Sequence, residues 1–356
     1  MNAAALRHDV LSTSGLAVSS LAHSFGTRRV VDGVSIDIRA GEVHCLVGPS
    51  GCGKTTTLRL IAGLEVLQEG RIELNGRVLA APRSALPPER RRVGLMFQDF
   101  ALFPHLTVAE NVAFGLVGSD RRRREARVGE LLSRVGMKAF ARAYPHMLSG
   151  GEQQRVALAR AVAPEPELML LDEAFSALDT SLRAQVREDT LALLKESGTP
   201  TLLVTHDAEE AIRVGDRIHA MQAGRIVQSG TPAELYRAPA SPFVAGFFGP
   251  VNRFSGVVEG GLVRTPVGPA AGKGLPEGTP VQVIVRPEAL LVAPGGGLRA
   301  HVLARRDLGP MHILRLALPD GTKVKVRQAG DVTAAVGDEV EIELDPRHLF
   351  VYPAAD

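Results

Sequence analysis

Cysteine is almost absent from this sequence, with Cys45 and Cys52 the only two among 356 residues. They lack a metal-ligand spacing and both fall in or beside one glycine-rich loop, which excludes a disulfide scaffold and fits a reducing compartment. Excess charge is lacking too. The 41 Lys and Arg against 39 Asp and Glu leave +2, which argues against an extended nucleic-acid surface as the main business. The runs RRR at 90–92 and RRRR at 121–124 are read as solvated faces. Residues 251–356 offer only Phe254, Phe350 and Tyr352 as stacking aromatics, too few for a single-strand binding platform. No stretch reaches the roughly 20 apolar residues that span a bilayer, so any work at a membrane needs spanning segments from partners. Near the start, Arg7 followed by LSTSGLAVSSLA has the outline of a signal peptide. Its serines and threonine interrupt the apolar region, and it runs into period-two alternation, so a strand is expected.

The length suits two or three domains. From Leu16 to Ile38 alternation predicts strands of an antiparallel sheet, ending before the turn Ala40-Gly41-Glu42. VHCLV (43–47), LMLL (168–171) and TLLV (201–204) are short continuous apolar runs, the pattern of buried parallel strands. Helical stretches such as 181–195 separate them, the rhythm of an α/β domain. Residues from about 99 to 165 break it with Ala-, Leu- and Arg-rich helical segments, predicting an inserted helical subdomain. After Pro250, glycine and proline rise and alternation returns at 281–285, 314–318, 324–326 and 340–344, predicting a small β-barrel.

GPSGCGKT (48–55) follows the first buried strand and precedes the helical TTLRLIAG. This is a phosphate loop. Backbone N–H groups of Gly48, Ser50, Gly51, Cys52, Gly53, Lys54, Thr55 and Thr56 surround a polyphosphate, with Pro49 part of the same binding loop. Lys54 reaches its β- and γ-phosphates and Thr55 offers a hydroxyl to Mg²⁺. Asp172 and Glu173 end a buried strand, where open α/β sheets place their ligands, so Asp172 is a metal ligand and Glu173 a general base, or both simply start a loop. His206 ends the strand expected beside theirs, within reach of a γ-phosphate. LSGGEQQR (148–155) sets Ser149, Gly150, Gly151 and Glu152 at a helix start 94 residues after Lys54. Such a start attracts an anion but lacks the lysine and metal ligands to hold a nucleotide unaided.

In order and spacing, GPSGCGKT, Gln98 in MFQDF, LSGGEQQR, LMLLDEAFSALD and His206 in THD resemble the ATP-binding cassette ATPases over about residues 16–240. The resemblance implies a P-loop NTPase cassette with an antiparallel β subdomain and the helical insertion, residues 16–248, followed by an oligonucleotide-binding-like barrel over 251–354 for dimer contact or regulation. It implies ATP and Mg²⁺ as cofactors, Phe25 stacked on adenine, Asp179 at the subunit boundary, and Gln98 joining Thr55 and Asp172 at the metal while linking catalysis to a permease. The Ser149–Glu152 segment would then bind the γ-phosphate held by a second copy, two chains closing head to tail as a homodimer. Ala174, where relatives carry proline, touches loop rigidity only. One cassette, no fused spanning segment and the added β domain resemble importer subunits on the cytoplasmic face of the inner membrane. Their partners are transmembrane permeases and, indirectly, a periplasmic solute-binding protein, with no nucleic acid. Iron(III) importers are most similar, then those for polyamine, sulfate, phosphonate and sugar. Soluble cassette proteins of DNA repair or translation, the rival class, carry a coiled-coil insertion or second cassette that this sequence lacks. The apolar Phe100, Leu102 and Phe103 are expected to form part of a groove that receives a short permease helix, the alternative being packing within the helical subdomain.

Overall fold

The computed structural model describes residues 15–354 apart from 98, 117, 119, 176–179, 294–296 and 331. Gln98 and Asp179 therefore lie outside the described residues. Along the first part of the chain run strands β1 (Gly15–Phe25), β2 (Arg28–Arg39) and β3 (Val43–Val47), then helix α1 (Lys54–Ala62). Strands β4 (Glu69–Leu74), β5 (Arg77–Ala81), β6 (Ser84–Ala85) and β7 (Val93–Met96) follow. Helices α2 (Val108–Ala113), α3 (Arg121–Arg134) and α4 (Gly150–Val162) form the helical insertion. The core resumes with β8 (Leu168–Asp172), α5 (Thr180–Glu196), β9 (Thr201–Thr205), α6 (Ala208–Val214), β10 (Arg217–Gln222) and β11 (Arg225–Gly230).

Two sheets organise this unit. The antiparallel one has the order β2-β1-β4-β5-β6, as the alternation predicted, with Val34, Ile36 and Ile38 of β2 turned inward. The other, β11-β10-β3-β9-β8-β7, is parallel except for β11 at its edge. All five residues of β3, of β8 and of β9 are buried, the reason these strands read as unbroken apolar runs. Helix α3 turns Val128, Leu131 and Leu132 inward at helical spacing, leaving Arg121–Arg124 exposed as expected.

The other arginine run departs from expectation. Arg90 and Arg92 are exposed, but Arg91 is 2 % exposed. Its guanidinium donates to the carbonyls of Leu60 and Ile61, at 2.9 and 2.7 Å, and of Leu86 at 2.9 Å. The last carbonyls of a helix have no partner within it, and at the end of α1 a buried cation supplies one. That demand comes from a distant element, so the triplet gave no sign of it.

The chain divides into two compact units between residues 232 and 233, earlier than the composition change near Pro250. The short helices α7 (Pro232–Arg237) and α8 (Pro242–Phe247) explain the shift. Ala245 packs with Ile284 and Phe350, and the buried Arg286 donates to the carbonyls of Ala245 and Tyr236 while lying 4.2 Å over the Tyr236 ring.

The second unit continues with β12 (Asn252–Glu259), β13 (Leu262–Thr265), β14 (Gly268–Ala271), β15 (Pro280–Val285), β16 (Leu290–Val292), β17 (Leu298–Leu308), β18 (Met311–Ala317), β19 (Lys323–Ala329), β20 (Glu339–Leu344) and β21 (Leu349–Pro353). They form antiparallel sheets of order β14-β13-β12-β15-β21 and β16-β20-β17-β18-β19 around one core that includes Val258, Val283, Leu314 and Val326. The arrangement is a nearly closed barrel. Between its edges β16 and β19, the Gln328 amide accepts from the Val292 N–H at 2.8 Å and donates to the Val292 carbonyl at 3.2 Å.

Candidate functional site

Adjacent parallel strands deliver the site to one edge of the core sheet. Val47 at the end of β3 pairs with Thr205 of β9, and Asp172 at the end of β8 pairs with Val204. The next residues are the phosphate loop, His206 and Glu173, so three distant stretches of sequence emerge together.

The loop turns tightly against β10. At Gly48 a Cβ would sit 2.2 Å from the Met221 carbonyl oxygen, which only glycine avoids. Pro49, Ser50 and Gly51 are exposed, Cys52 and Gly53 are buried, and Thr55 and Thr56 are half-buried at the start of α1. Gly53, the N-cap, has φ +108° and no side chain to shield the helix N–H groups. Lys54 is buried, and its ammonium folds back to donate to the carbonyls of Gly48 at 2.8 Å and Pro49 at 3.1 Å. The loop thus gathers N–H groups, a helix terminus and a cation in one concavity, the physical requirements of a polyphosphate site.

Beside it, Asp172 is buried and hydrogen-bonded by the Thr55 side chain. Burial, then the neighbouring Glu173 charge, push its pKa above the ordinary carboxylate value. Glu173 has φ +50° and donates its N–H to the Val204 carbonyl at 2.9 Å. A left-handed glutamate costs on the order of 1–3 kcal/mol and clusters at functional sites. Its carboxylate lies 2.8 Å from Nδ1 of His206.

The remaining sequence-derived residues are placed as follows. Phe25 ends β1, half exposed, its ring edge-on to His23 at 4.6 Å. Ser149 caps α4 in a reciprocal box, accepting from the Glu152 N–H while Glu152 accepts from the Ser149 N–H and hydroxyl. Gly150 and Gly151 form the first turn, and a Cβ on Gly150 would meet nothing within 4 Å. Among the described residues no hydrogen bond or ion pair joins Ser149–Glu152 to the phosphate loop of the same chain. Phe100, Leu102 and Phe103 are half-buried; Phe103 packs on the exposed Phe114 at 4.3 Å, under the Arg160 guanidinium.

Sequence reasoning missed two contributors. Gln154 of the LSGGEQQR segment is buried and donates to the Ala174 carbonyl, tying α4 to the turn that carries Glu173. Its neighbour Gln153 gives no hint of the difference, because only helix phase decides which glutamine faces inward. The second is a hydrogen-bonded chain through two buried histidines at the start of β3, the end of that strand away from the loop: Glu42 to His44 Nε2 (3.1 Å), His44 Nδ1 to His219 Nε2 (3.0 Å) and His219 Nδ1 to Ser229 (2.7 Å). As the carboxylate only accepts, the network is satisfied with both rings neutral: Ser229 donates to His219, His219 to His44, and His44 to Glu42. Burial lowers both imidazole pKa values, that of His219 to about 3.

The chain is similar to known proteins. The ABC transporter family matches residues 31–176 and the TOBE domain family residues 283–351. An Fe(3+) ions import ATP-binding protein of Streptomyces avermitilis is 47% identical over 96% of this chain and 99% of its own. A sulfate/thiosulfate import ATP-binding protein of Chromobacterium violaceum is 43% identical over 95% of each. Among solved structures, a dimeric ATP-binding cassette in a post-hydrolysis state bound to ADP and Pi matches with TM-score 0.56 and 30% identity, covering 61% of this chain and 98% of the other. Among the described residues no helix is long and apolar enough to cross a membrane.

Proposed function

The chain belongs to the ATP-binding proteins of the ABC transporters, an ATPase coupled to transport, and from that premise we propose that it drives uptake of iron(III) through separate permease subunits. The observation that carries the catalytic part is the strand register, Val47 with Thr205 and Asp172 with Val204, which sets the phosphate loop, His206 and Glu173 side by side.

In this reading Lys54 leaves its loop carbonyls for the β- and γ-phosphates of ATP, and the N–H groups of the loop and α1 hold the same oxygens. Glu173 accepts a proton from the attacking water, and His206, engaged through Nδ1, steadies that carboxylate and turns its other nitrogen toward the γ-phosphate. Thr55 and Asp172 are hard oxygen donors already bonded to each other, a set that suits Mg²⁺; with Gln98 they would hold it. The ion neutralises polyphosphate charge when bound. Phe25 would stack on the adenine. Gly150 faces open space, and with Gly151 it would cap the γ-phosphate of a second copy, with Asp179 at that boundary, so that two chains enclose two nucleotides.

The chain would act at the cytoplasmic face of the inner membrane, with a periplasmic solute-binding protein upstream. Iron(III) is favoured by the several relatives named for Fe(3+) import at 43–47% identity; sulfate is the second reading, from relatives at 41–43%. Uptake of radiolabelled iron(III) and sulfate by cells with and without the gene tests the choice. Loss of iron(III) uptake alone is expected. Loss of sulfate uptake with iron(III) uptake intact would overturn it.

A further inference from the structure

Outside the nucleotide site, the second unit carries an unusual concentration of unpaired positive charge. A cavity of about 380 Å³ lies against the outer face of strands β17, β18 and β19. Arg306, Arg315, Lys325 and Arg327 line it. Strand register explains why they converge. Arg315 stands directly opposite Lys325, and Ile313 stands between Arg306 on one neighbour and Arg327 on the other. The leucines and valines at alternate positions, Leu314, Leu316, Val324 and Val326, fill the barrel core, so the intervening residues must point outward.

Like charges opposite each other across an antiparallel pair are destabilising. Several other basic side chains of this unit are matched: Arg299 and His301 with Glu339, Arg305 and His312 with Asp307, Arg347 with Asp345. None of these ion pairs includes the four cavity cations. Glu288, beside Pro287 in the chain, accepts the Tyr236 hydroxyl. Among the described residues the four cations make no ion pair, and Arg315 faces Lys325 across the ladder, a conflict of the kind that persists where a ligand resolves it.

The other walls set the ligand's character. Pro250, Pro287, Ala304 and Ile313 give the cavity apolar surface. A tetrahedral inorganic oxyanion would meet the charges but leave most of this volume and the prolines to water, whereas an apolar frame fills it. We propose that this cavity binds a small organic polyanion, with at least two carboxylate or phosphate groups on an apolar frame, its charged groups paired with Arg315, Lys325, Arg306 and Arg327. Arginine favours such ligands because its planar fork matches carboxylate and phosphate oxygens bidentately.

The test uses the full chain with its phosphate loop saturated by MgADP, and benzene-1,3,5-tricarboxylate as probe in isothermal titration calorimetry. One site per chain is expected, weakening as salt rises, with benzoate and sulfate each roughly tenfold weaker or more. The double variant Arg315→Gln, Arg327→Gln should lose roughly tenfold or more in affinity for the probe while binding MgADP as before. Ile313→Glu, which tethers a carboxylate among the four cations, should weaken the probe similarly and serves if the double variant fails to fold. Absence of binding to the unmodified chain, or equal affinity in a folded variant, would overturn the proposal. Sulfate binding as tightly as the probe, with the same arginine dependence, would overturn the organic character of the ligand. None of these outcomes depends on which solute is transported.

Discussion

Acidification should loosen the core sheet through His219, and the size of the effect follows from its surroundings. The ring is buried between His44 and Ser229 and faces Arg217, so its folded pKa is about 3 against 6.5 when exposed. Glu42 and Asp216 act on His44 in the opposite direction, but burial outweighs them. A base with a depressed folded pKa takes up fewer protons folded than unfolded, so stability falls as pH drops from about 6.5 towards about 3. Between pH 7 and pH 5 the linkage relation gives a loss of about 2 kcal/mol from His219 alone. His44 adds in the same direction. His219→Gln supplies an amide donor for His44 and an acceptor for Ser229 without a titrating group, so its loss over that range should be smaller by about 2 kcal/mol. Hydrogen exchange of the β3 segment, corrected for the intrinsic rate at each pH, reads the opening free energy of this sheet apart from the second unit. Equal losses in the unmodified chain and the variant, or no loss in either, would refute the reasoning.

Glu173→Gln should keep MgATP binding while steady-state phosphate release falls by roughly 100-fold or more; release near the unmodified rate would remove Glu173 from the role of base. Mixed dimers test the shared site: Lys54→Ala in one chain and Gly151→Asp in the other, both with Glu173→Gln. If the glycines serve the opposite chain, both lesions fall in one site and about one ATP per dimer is retained, against almost none in either homodimer. No recovery in confirmed mixed dimers would falsify the arrangement.

The nucleotide side of the site was legible because its chemistry is local. A phosphate loop needs its glycines and lysine consecutively, and parallel strands buried on both faces announce themselves as VHCLV, LMLL and TLLV. The neighbourhood of β8 and β9 followed from those runs. Other features depend on pairing across the chain. Whether Arg90, Arg91 or Arg92 turns inward is decided by carbonyls 30 residues away, and His44 meets His219 only because β3 lies against β10. In the second unit, four of the strands were marked by alternation, whereas β12 to β14 and β17 contain glycine, proline or arginine that blur it. The cationic cavity depends on the register of three strands that sequence spacing does not fix.

The Gln328 amide at the edge of the second unit implies a mechanical asymmetry. Around most of the barrel, parting two neighbours means breaking a ladder; between β16 and β19 one side chain spans the gap to a single residue, Val292. Such a cylinder has a seam. Opening it breaks two side-chain hydrogen bonds and uncovers the buried Leu290 and Val326, whereas parting two paired strands also breaks a backbone ladder.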